Sequence, residues 1–381
     1  MPNIVKPILG IFLNKIFYNI RLMQCYSFST WSEQGDVVNK SKVNRIGILT
    51  SGGDAPGMNA AIRSLVLAAH HYHIEVVGFY HGYNGLICAE NIAQSKVLNL
   101  TDVNGIIHRG GTILKSARCQ KMLTQQGLKQ AASTLEDNNI DVLVVIGGDG
   151  SFNGLLALKD HWQGQLIGIP GTIDNDLDGT DFTIGFATAV NTAIEAIDKI
   201  RDTADAFERI FIVELMGRHS GHITFNVGIA CAAEQVLSFE NFCIDDQQAK
   251  LIELAKEIKT AKENLHTSYI IVIAENLWPD GATNLAQQLK QAADIDCTAC
   301  LLGHIQRGGS PVPKDRLLAT KMGVGAIQAI VAGEDQIMIA EQHSAICYIP
   351  LEQAVKHHKQ VSQQLVNAQE NILALTAQTQ Y

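Results

Sequence analysis

The chain has 381 residues, of which 46% are hydrophobic and 18% are charged, and its formal net charge is −9. This length allows two domains with separate cores, and the composition is that of a globular protein rather than a disordered one. The acidic balance argues against nucleic acid or an anionic membrane as the main partner, because both require a basic face. A phosphate ligand would therefore need a local cluster of arginines.

The first 42 residues differ from the rest of the chain. Residues 1–32 contain Lys6, Lys15 and Arg21 but no Asp or Glu, and apolar side chains alternate with aromatic ones. No apolar run reaches the ~18 residues of a membrane span. A targeting peptide or a helix lying on a surface is one interpretation. We favour a leader translated from an upstream start codon, with Met23 as an internal start, because no signal-cleavage pattern follows.

The eight cysteines are scattered, mostly within apolar runs, which predicts reduced thiols in a cytoplasmic protein. Cys297 and Cys300 form a C-x-x-C pair without a second pair or a nearby histidine doublet. We expect these two side chains to be small buried apolar groups rather than a zinc or redox site.

From Arg45 onward, apolar runs alternate with helical patterns. The segment RIGILT predicts a strand, SGGDAPG a glycine-rich loop, and Met58 to His71 a helix with apolar side chains at helical spacing. Ile74 to Tyr80 predicts the next strand. The run DVLVVIG predicts another strand, followed by a second glycine loop and a helix that starts near Phe152.

Three further apolar runs, QLIGIP, RIFIVEL and SYIIVIAE, repeat this arrangement of strand and loop. Continuous apolar strands that alternate with helices indicate mainly parallel sheets covered on both faces. Two sets of such strands predict an α/β fold with two doubly wound domains and the active site in the cleft between them. The Gln-rich tail from Leu351 is predicted to form a capping helix without a chemical role.

Two glycine-rich loops, TSGGDAPGMNAA and IGGDGS, each follow a predicted strand and precede a predicted helix. Their glycines expose backbone N–H groups that can bind a phosphate, aided by the helix N-terminus. The first loop is neither the dinucleotide motif G-x-G-x-x-G nor the P-loop motif. Asp149, between two glycines, can hold a Mg²⁺ ion that bridges phosphate oxygens, or it can cap the following helix.

The stretch GIPGTIDND, residues 168–176, changes abruptly from apolar to acidic. Ligands of open α/β sheets bind outside the carboxyl ends of the strands, so Asp174 and Asp176 are candidates for catalysis. The alternative is that the two aspartates cap the next element. Together with the glycine loops, this stretch favours phosphoryl transfer, which needs positioning and charge neutralisation more than covalent help.

Several motifs occur in an order and spacing that resemble bacterial-type ATP-dependent 6-phosphofructokinases. They are TSGGDAPGMNAAIR, HRGGT, SAR, GGDGS, PGTIDND, VELMGR and LGHIQRGGSP. The resemblance extends from about residue 45 to about residue 333, and PGTIDND and GHIQRGGSP are long and chemically unusual.

The resemblance implies a nucleotide site in the first half of the chain. Contacts to ATP are implied for Gly53, Arg118, Cys119, Gly148, Asp149, Gly150 and Ser151. Asp149 would hold the Mg²⁺ ion. In the family, glycines at the positions of Gly150 and Gly171 accompany ATP, whereas pyrophosphate users carry an aspartate and a lysine there.

The resemblance also implies a site for fructose 6-phosphate. Asp174 would take the proton from the 1-hydroxyl, Thr172 and Asp176 would orient the transferred group and the metal shell, and Arg218 would stabilise the γ-phosphoryl group or hold the sugar. Arg209, His304 and Arg307 would bind the 6-phosphate. The remaining implied contacts of the sugar pocket are Ile173, Met216, Gly217, Glu275, Ile305 and Gln306.

Three alternatives share some of these motifs. A pyrophosphate-dependent phosphofructokinase is disfavoured by Gly150 and Gly171. A lipid or NAD kinase shares GGDG but should lack PGTIDND and GHIQRGGSP. A catalytically silent regulatory subunit or sugar-phosphate sensor is disfavoured because Asp149 and Asp174 are retained.

The family pattern further implies a cytoplasmic homotetramer in which a neighbouring subunit lends arginines to each sugar site. Its domains would comprise residues 43–185 with about 306–356 for ATP, and about 186–305 with the C-terminal helix for the sugar phosphate. Residues 1–42 would be an extension of unknown role.

The chain departs from the family at positions that bind anions. Thr298 stands where the family has an arginine six residues before the histidine of GHIQR, which predicts weak binding of fructose 6-phosphate. In the site for ADP or phosphoenolpyruvate, Arg63, Arg201 and Glu234 keep the pattern. Leu67 and Leu100 stand where the family has arginines, and Asn264 and His266 stand where it has lysines. The loss of these cations predicts a feeble response to ADP and phosphoenolpyruvate.

Overall fold

The structure, a computed structural model, describes residues 43–87, 95–263 and 268–378. The predicted leader, residues 1–42, lies outside the described residues, as do Asn264 and His266.

The described strands and helices alternate along most of the chain. The strands are β1 (Arg45–Thr50), β2 (Glu75–Phe79), β3 (Ser95–Val97), β4 (Val142–Gly147), β5 (Gln165–Thr172), β6 (Ile184–Gly185), β7 (Ile210–Leu215), β8 (Gln235–Leu237), β9 (Tyr269–Ala274), β10 (Cys297–Leu301), β11 (Ile337–Gln342) and β12 (Ala345–Pro350). The α-helices are α1 (Met58–His71), α2 (Asn84–Ile87), α3 (Gln125–Asp137), α4 (Asp149–Leu158), α5 (Phe186–Phe207), α6 (His222–Ala230), α7 (Gln247–Glu263), α8 (Gly281–Ala293), α9 (Pro313–Ala332), α10 (Leu351–Ala354) and α11 (Gln363–Gln378). Short 3₁₀ helices cover Gln120–Leu123, Ile244–Asp246 and Gly303–Arg307.

The strands form two sheets. The larger sheet has the order β12-β11-β5-β4-β1-β2-β3, with β6 paired to β5, and the smaller has the order β10-β7-β9-β8. All pairings of the smaller sheet are parallel, and in the larger sheet only the outer pairings β2–β3 and β11–β12 are antiparallel among the described strands. The predicted α/β fold with mainly parallel sheets is therefore confirmed.

Apolar side chains cover both faces of the central strands, which explains their continuous apolar runs. In β4, Val144 belongs to the cluster on one face of the larger sheet, and Leu143 and Val145 belong to the cluster on the other. The smaller sheet is divided in the same way, with Val213 on one face and Ile212 on the other. A strand that is exposed on one face alternates polar and apolar residues, whereas these strands are buried on both faces and are therefore apolar throughout.

Close packing fixes the helices around the larger sheet. A Cβ atom at Gly323 of α9 would collide with Ser64 Oγ of α1, so only glycine allows these two helices to approach as they do. Gly57, before α1, adopts a φ of 111°, a left-handed conformation that glycine accepts without strain.

Most element predictions agree with the structure, but three differ. The helix predicted over Met58–His71 is confirmed, and the strand predicted over 74–80 covers 75–79. The helix predicted to start near Phe152 begins at Asp149, because Gly148 serves as the extended N-cap and an acidic first turn suits the helix dipole. The tail forms two helices, α10 and α11, with a connecting segment that contributes to the site described below.

Candidate active site

Three loops meet at the carboxyl edge of the larger sheet, because β1, β4 and β5 are parallel and in register. Thr50 pairs with Ile146, and Gly147 pairs with Pro170. The loops that follow are the two glycine loops and the TIDND stretch, as the sequence predicts. In the smaller sheet, β7, β9 and β10 likewise end side by side.

The TIDND stretch is buried and held by its own hydrogen bonds. The backbone N–H of Asp174 donates to Thr172 Oγ1 at 3.2 Å, and Asn175 Oδ1 accepts from the N–H of Thr183 at 3.0 Å. Thr183 Oγ1 donates in turn to the carbonyl of Thr172 at 2.6 Å. Ile173 is fully buried in the core. These bonds hold the backbone of the segment that carries Asp174 and Asp176.

Asp174 is a carboxylate with a raised pKa. Its side chain is only 7% exposed, and Oδ1 has no hydrogen-bond partner within the described residues. Burial raises the pKa of Asp174 to about 6, and the negative charge of Asp176 adds to this rise. Arg307 and Arg218 oppose the shift. A carboxylate in this state can accept a proton near neutral pH.

An ion pair joins the loops of the two sheets. Arg218, which follows β7, places Nη1 3.2 Å from Oδ1 of Asp149, the first residue of α4. The guanidinium side chain is 55% exposed, so it is free to turn towards another anion. Ser220 adds a second link, because its Oγ donates to the carbonyl of Asp174 at 3.1 Å.

The carboxylates of Asp149 and Asp176 line one cavity of about 120 Å³. Burial and the negative charge of Asp149 raise the pKa of Asp176. No group of three or more His, Cys, Asp or Glu side chains in the described parts of the chain is arranged to hold a metal ion. Mg²⁺ is usually bound by one or two carboxylates together with phosphate oxygens and water, so this acidic pair fits the ion.

The segment between α10 and α11 completes the cavity. His358 Nδ1 lies 3.6 Å from Asp176 Oδ2, and Lys359 also lines the cavity. The Nζ of Lys359 donates to the carbonyl of Asp181 at 2.6 Å, and burial lowers the pKa of this lysine to about 8. The prediction that this tail has no chemical role is therefore wrong, and the basic run Lys356–Lys359 in the Gln-rich tail was a usable signal.

The loop after β7 is shaped by two side chains from neighbouring strand ends. Glu275 Oε1 accepts from the N–H groups of Gly217 at 3.1 Å and Arg218 at 2.7 Å. Gln306 Oε1 accepts from the N–H of Met216 at 2.9 Å. Gln306 is fully buried and supports the loop through this hydrogen bond. Its neighbour Ile305 is 58% exposed.

Arg307 connects the second sheet to the first glycine loop. Its Nη1 donates to the carbonyl of Asp54 at 3.1 Å. A Cβ atom at Gly53 would lie 2.5 Å from the same Nη1, so the glycine makes room for the guanidinium. The predicted residues Gly53, Asp174 and Arg307 therefore lie in one region.

The residues predicted to contact the nucleotide surround the start of α4. Tyr83 Oη donates to the carbonyl of Ser151 at 2.7 Å, and Asn84 Nδ2 donates to the carbonyl of Arg118 at 3.4 Å. Burial raises the pKa of Tyr83, so its hydroxyl stays protonated and can donate this hydrogen bond. Cys119 is half-buried against the core, whereas Arg118 is exposed. A Cβ atom at Gly150 would meet nothing within 4 Å.

Two predicted positions lie away from this region. Arg209 directly precedes β7, and Thr298 pairs with Phe211 near the same end of that strand. The six residues of β7 place this end about 20 Å from the loop at Met216. Arg209 is exposed and stacks its guanidinium on the ring of Phe207, 4.9 Å from the centroid. Within one chain, the structure does not bring Arg209 to Asp174.

The predicted effector residues are partly occupied by internal contacts. Arg201 Nη1 pairs with Glu234 Oε1 at 3.0 Å, and Nη2 donates to the carbonyls of Cys231 and Ala232. Arg63 is half-buried on α1. The two leucines that replace cations, Leu67 and Leu100, are 38% and 39% exposed.

Comparisons with known proteins agree with this arrangement. The family described as "Phosphofructokinase" matches residues 45–330. The "ATP-dependent 6-phosphofructokinase 1" of Thermus thermophilus is 44% identical over 333 residues, which are 87% of this chain and 100% of that protein. The "ATP-dependent 6-phosphofructokinase" of Clostridioides difficile is 44% identical over 82% of this chain and 94% of its own.

Solved structures support the same fold. Phosphofructokinase from Saccharomyces cerevisiae is 32% identical, with a TM-score of 0.74 over 86% of this chain, and this chain spans 47% of the yeast chain. A "Pyrophosphate-dependent phosphofructokinase" from Marinobacter aquaeolei has a TM-score of 0.69 over 87% of this chain and 92% of its own, but its 19% identity supports the fold alone. Because the family match and the Thermus relative each cover most of the sequence, this chain belongs to the phosphofructokinase family.

Proposed function

We propose that the chain is an ATP-dependent 6-phosphofructokinase. It transfers the γ-phosphoryl group of ATP to the 1-hydroxyl of fructose 6-phosphate and yields fructose 1,6-bisphosphate and ADP, a step of glycolysis. The observation that carries the chemistry is the buried, unpartnered Oδ1 of Asp174 between the loops of the two sheets. The names of the curated relatives support ATP as the donor.

Asp174 acts as the general base. With a pKa of about 6, its carboxylate is ionised at neutral pH and accepts the proton of the 1-hydroxyl as that oxygen attacks phosphorus. The hydrogen bonds from Ser220 and to Thr172 hold the Asp174 backbone in place. Positioning of this kind supplies much of the catalysis in phosphoryl transfer.

Arg218 and the glycine loops bind the phosphate chain. In the structure Arg218 pairs with Asp149, and we propose that the guanidinium turns to the transferred phosphoryl group when ATP binds. A guanidinium can form two parallel hydrogen bonds to phosphate oxygens. Gly53, Arg118, Cys119 and the Gly148–Ser151 loop take the rest of the nucleotide.

Asp149 would hold Mg²⁺, and Asp176 would contribute to the shell of the ion. The ion neutralises charge on the phosphate oxygens when it is bound. Both carboxylates face the same cavity, which supports this assignment.

ATP is favoured over pyrophosphate by two glycines. A Cβ atom at Gly171 would lie 2.7 Å from Ile146 Cγ2, so a lysine at this position would disturb the core. Gly150 opens onto free space and leaves room beside the phosphate chain.

The sugar phosphate binds at the strand ends of the smaller sheet. His304 and Arg307 take the 6-phosphate, Glu275 and the Met216–Arg218 loop hold the sugar, and Gln306 supports that loop through Met216. Arg209 lies about 20 Å away in the same chain, at the far end of β7. We therefore propose a homotetramer in which Arg209 serves a neighbouring sugar site.

The protein functions in the cytoplasm. The described cysteines, Cys119, Cys231, Cys243, Cys297, Cys300 and Cys347, are all free thiols, as expected in a reducing compartment. No helix in the described residues is long and apolar enough to cross a membrane.

The proposal is tested by Asp174→Asn. Loss of a general base commonly costs ~10² to 10⁴ in rate, so turnover should fall by that factor while the binding of ATP and of fructose 6-phosphate stays nearly unchanged. Turnover is measured by a coupled assay and binding by calorimetry, with Asp160→Asn, an exposed aspartate on the same sheet's periphery, as the control. An Asp174→Asn variant that keeps more than about a tenth of the wild-type turnover would contradict the assignment of Asp174 as the general base.

A further inference from the structure

A second concave region lies beside the first glycine loop. It is an open cavity of about 720 Å³, lined by Gly52 and Gly53, by the Arg109–Gly111 turn and by Lys115. Asn59 holds the turn in place, because its Nδ2 donates to the carbonyls of Arg109 at 3.1 Å and Gly110 at 3.2 Å. The wall is therefore preformed backbone rather than a loose loop.

Two cations in this cavity have no partner among the described residues. Arg109 and Lys115 are exposed, and neither side chain forms an ion pair or a hydrogen bond with any described residue. Asp54 is the acidic residue among those that line the cavity. Arg307, which contacts the same loop at Gly53 and Asp54, adds a third positive charge there. In a chain with a net charge of −9, such a group of cations marks an anion site.

The backbone at Lys115 supports a functional role. Its φ of 58° is left-handed, a conformation that costs a lysine free energy and a glycine little. The carbonyl of Lys115 accepts from Thr50 Oγ1 at 3.1 Å, so the strained residue is tied to the end of β1.

We propose that Arg109 and Lys115 bind a phosphate group of a substrate in this cavity. Glycine backbone on two sides allows a phosphate to approach closely, and the two side chains supply charge-assisted hydrogen bonds. The inference rests on the proposed function, and the phosphate belongs either to the chain of the nucleotide or to the sugar phosphate.

The test is direct binding to the full-length protein. Arg109→Gln and Lys115→Gln are compared with Lys129→Gln, an exposed lysine on α3 outside the cavity, by calorimetry with Mg²⁺-ADP and with fructose 6-phosphate. Both cavity variants should weaken the same compound roughly tenfold, since a hydrogen bond to a charged group is worth about that factor. The control should weaken neither, and the compound affected identifies the source of the phosphate.

Two results would overturn the inference. One is that both dissociation constants change by less than about twofold in the cavity variants, while the wild-type protein binds both compounds. The other concerns Lys115→Gly, which removes the cation and relieves the backbone strain at this position. The inference is overturned if this variant binds both compounds with the wild-type affinity, or if its melting temperature lies well below that of the wild type. Failure of the wild-type protein to bind either compound would instead contradict the proposed function.

Discussion

At the scale of single residues, the environment of Asp174 determines both chemistry and stability. Its carboxyl group titrates near pH 6 in the folded chain and near the ordinary value of 3.8 when exposed. The folded state therefore binds the proton more tightly, and ionised Asp174 destabilises the fold. This cost is fully present above about pH 6 and vanishes as the pH falls below about 4.

Asp174→Asn is therefore expected to stabilise the unliganded protein at neutral pH. A shift of about two pKa units corresponds to roughly 2–3 kcal/mol, so the free energy of unfolding should rise by that order at pH 8 and by little at pH 4. Urea unfolding at both pH values measures it, with Asp160→Asn as the exposed control. An equal effect of Asp174→Asn at both pH values would show that ionisation is not the cause.

Two glycines that sequence reasoning treated alike differ in their surroundings. A Cβ atom at Gly171 would press on Ile146 at 2.7 Å and on Met58 at 3.2 Å, whereas one at Gly150 has free space within α4. Overpacking costs about 1–3 kcal/mol, so Gly171→Ala should lower the unfolding free energy by that amount. Gly150→Ala should be neutral or gain up to ~1 kcal/mol from helix propensity. Equal melting temperatures for the two variants would contradict this packing.

At the scale of elements, β10 is an edge strand that lacks a cation. Thr298 is exposed on β10 and pairs with Phe211, two residues after Arg209. In the proposed homotetramer, an arginine at this position would add a charged hydrogen bond to the 6-phosphate of a neighbouring sugar site, and such a bond contributes roughly 1.5–3 kcal/mol.

Thr298→Arg is therefore expected to improve the apparent affinity for fructose 6-phosphate by roughly tenfold or more, with little change in turnover. Sugar-saturation curves measure this change. Gln291→Arg, on the exposed face of α8, adds the same charge elsewhere and should have no effect. An unchanged or poorer affinity in Thr298→Arg would mean that another group already supplies the contact, or that the acceptor is a different sugar phosphate.

Sequence patterns predicted the elements better than the contacts between them. Apolar runs and glycine loops define β1, α1, β4 and β5, because local burial and turn chemistry decide those elements. The start of α4 was missed because two glycines around Asp149 indicate a loop in sequence, although one serves as a helix cap. The contact of His358 with Asp176 could not be predicted, since 182 positions of chain separate them and only folding brings them together.

At the scale of the whole molecule, the surface where the family resemblance implies an effector site is partly apolar. Leu67 and Leu100 are partly exposed, and Leu100 lines a cavity of about 550 Å³ together with Val66 and Val97. Arg201 is already engaged by Glu234. A multiply charged anion would find few free cations there, and an effector shifts an equilibrium only by its differential affinity for the two states.

The enzyme should therefore respond feebly to phosphoenolpyruvate and ADP. Sugar-saturation curves with and without millimolar effector should nearly coincide. A several-fold shift of the half-saturation point would show that the effector site still works. The double variant Leu67→Arg with Leu100→Arg offers the converse measurement, because restored cations should restore a response.

We propose above all that this site moves a phosphoryl group from ATP to fructose 6-phosphate. The most direct measurement incubates the purified protein with Mg²⁺, fructose 6-phosphate and either ATP or pyrophosphate, and identifies the products by ³¹P NMR. We expect ADP and fructose 1,6-bisphosphate in equal amounts from ATP. Without the sugar phosphate we expect no ADP, and from pyrophosphate we expect no product. Turnover with pyrophosphate, or ADP release that does not depend on fructose 6-phosphate, would contradict this proposal.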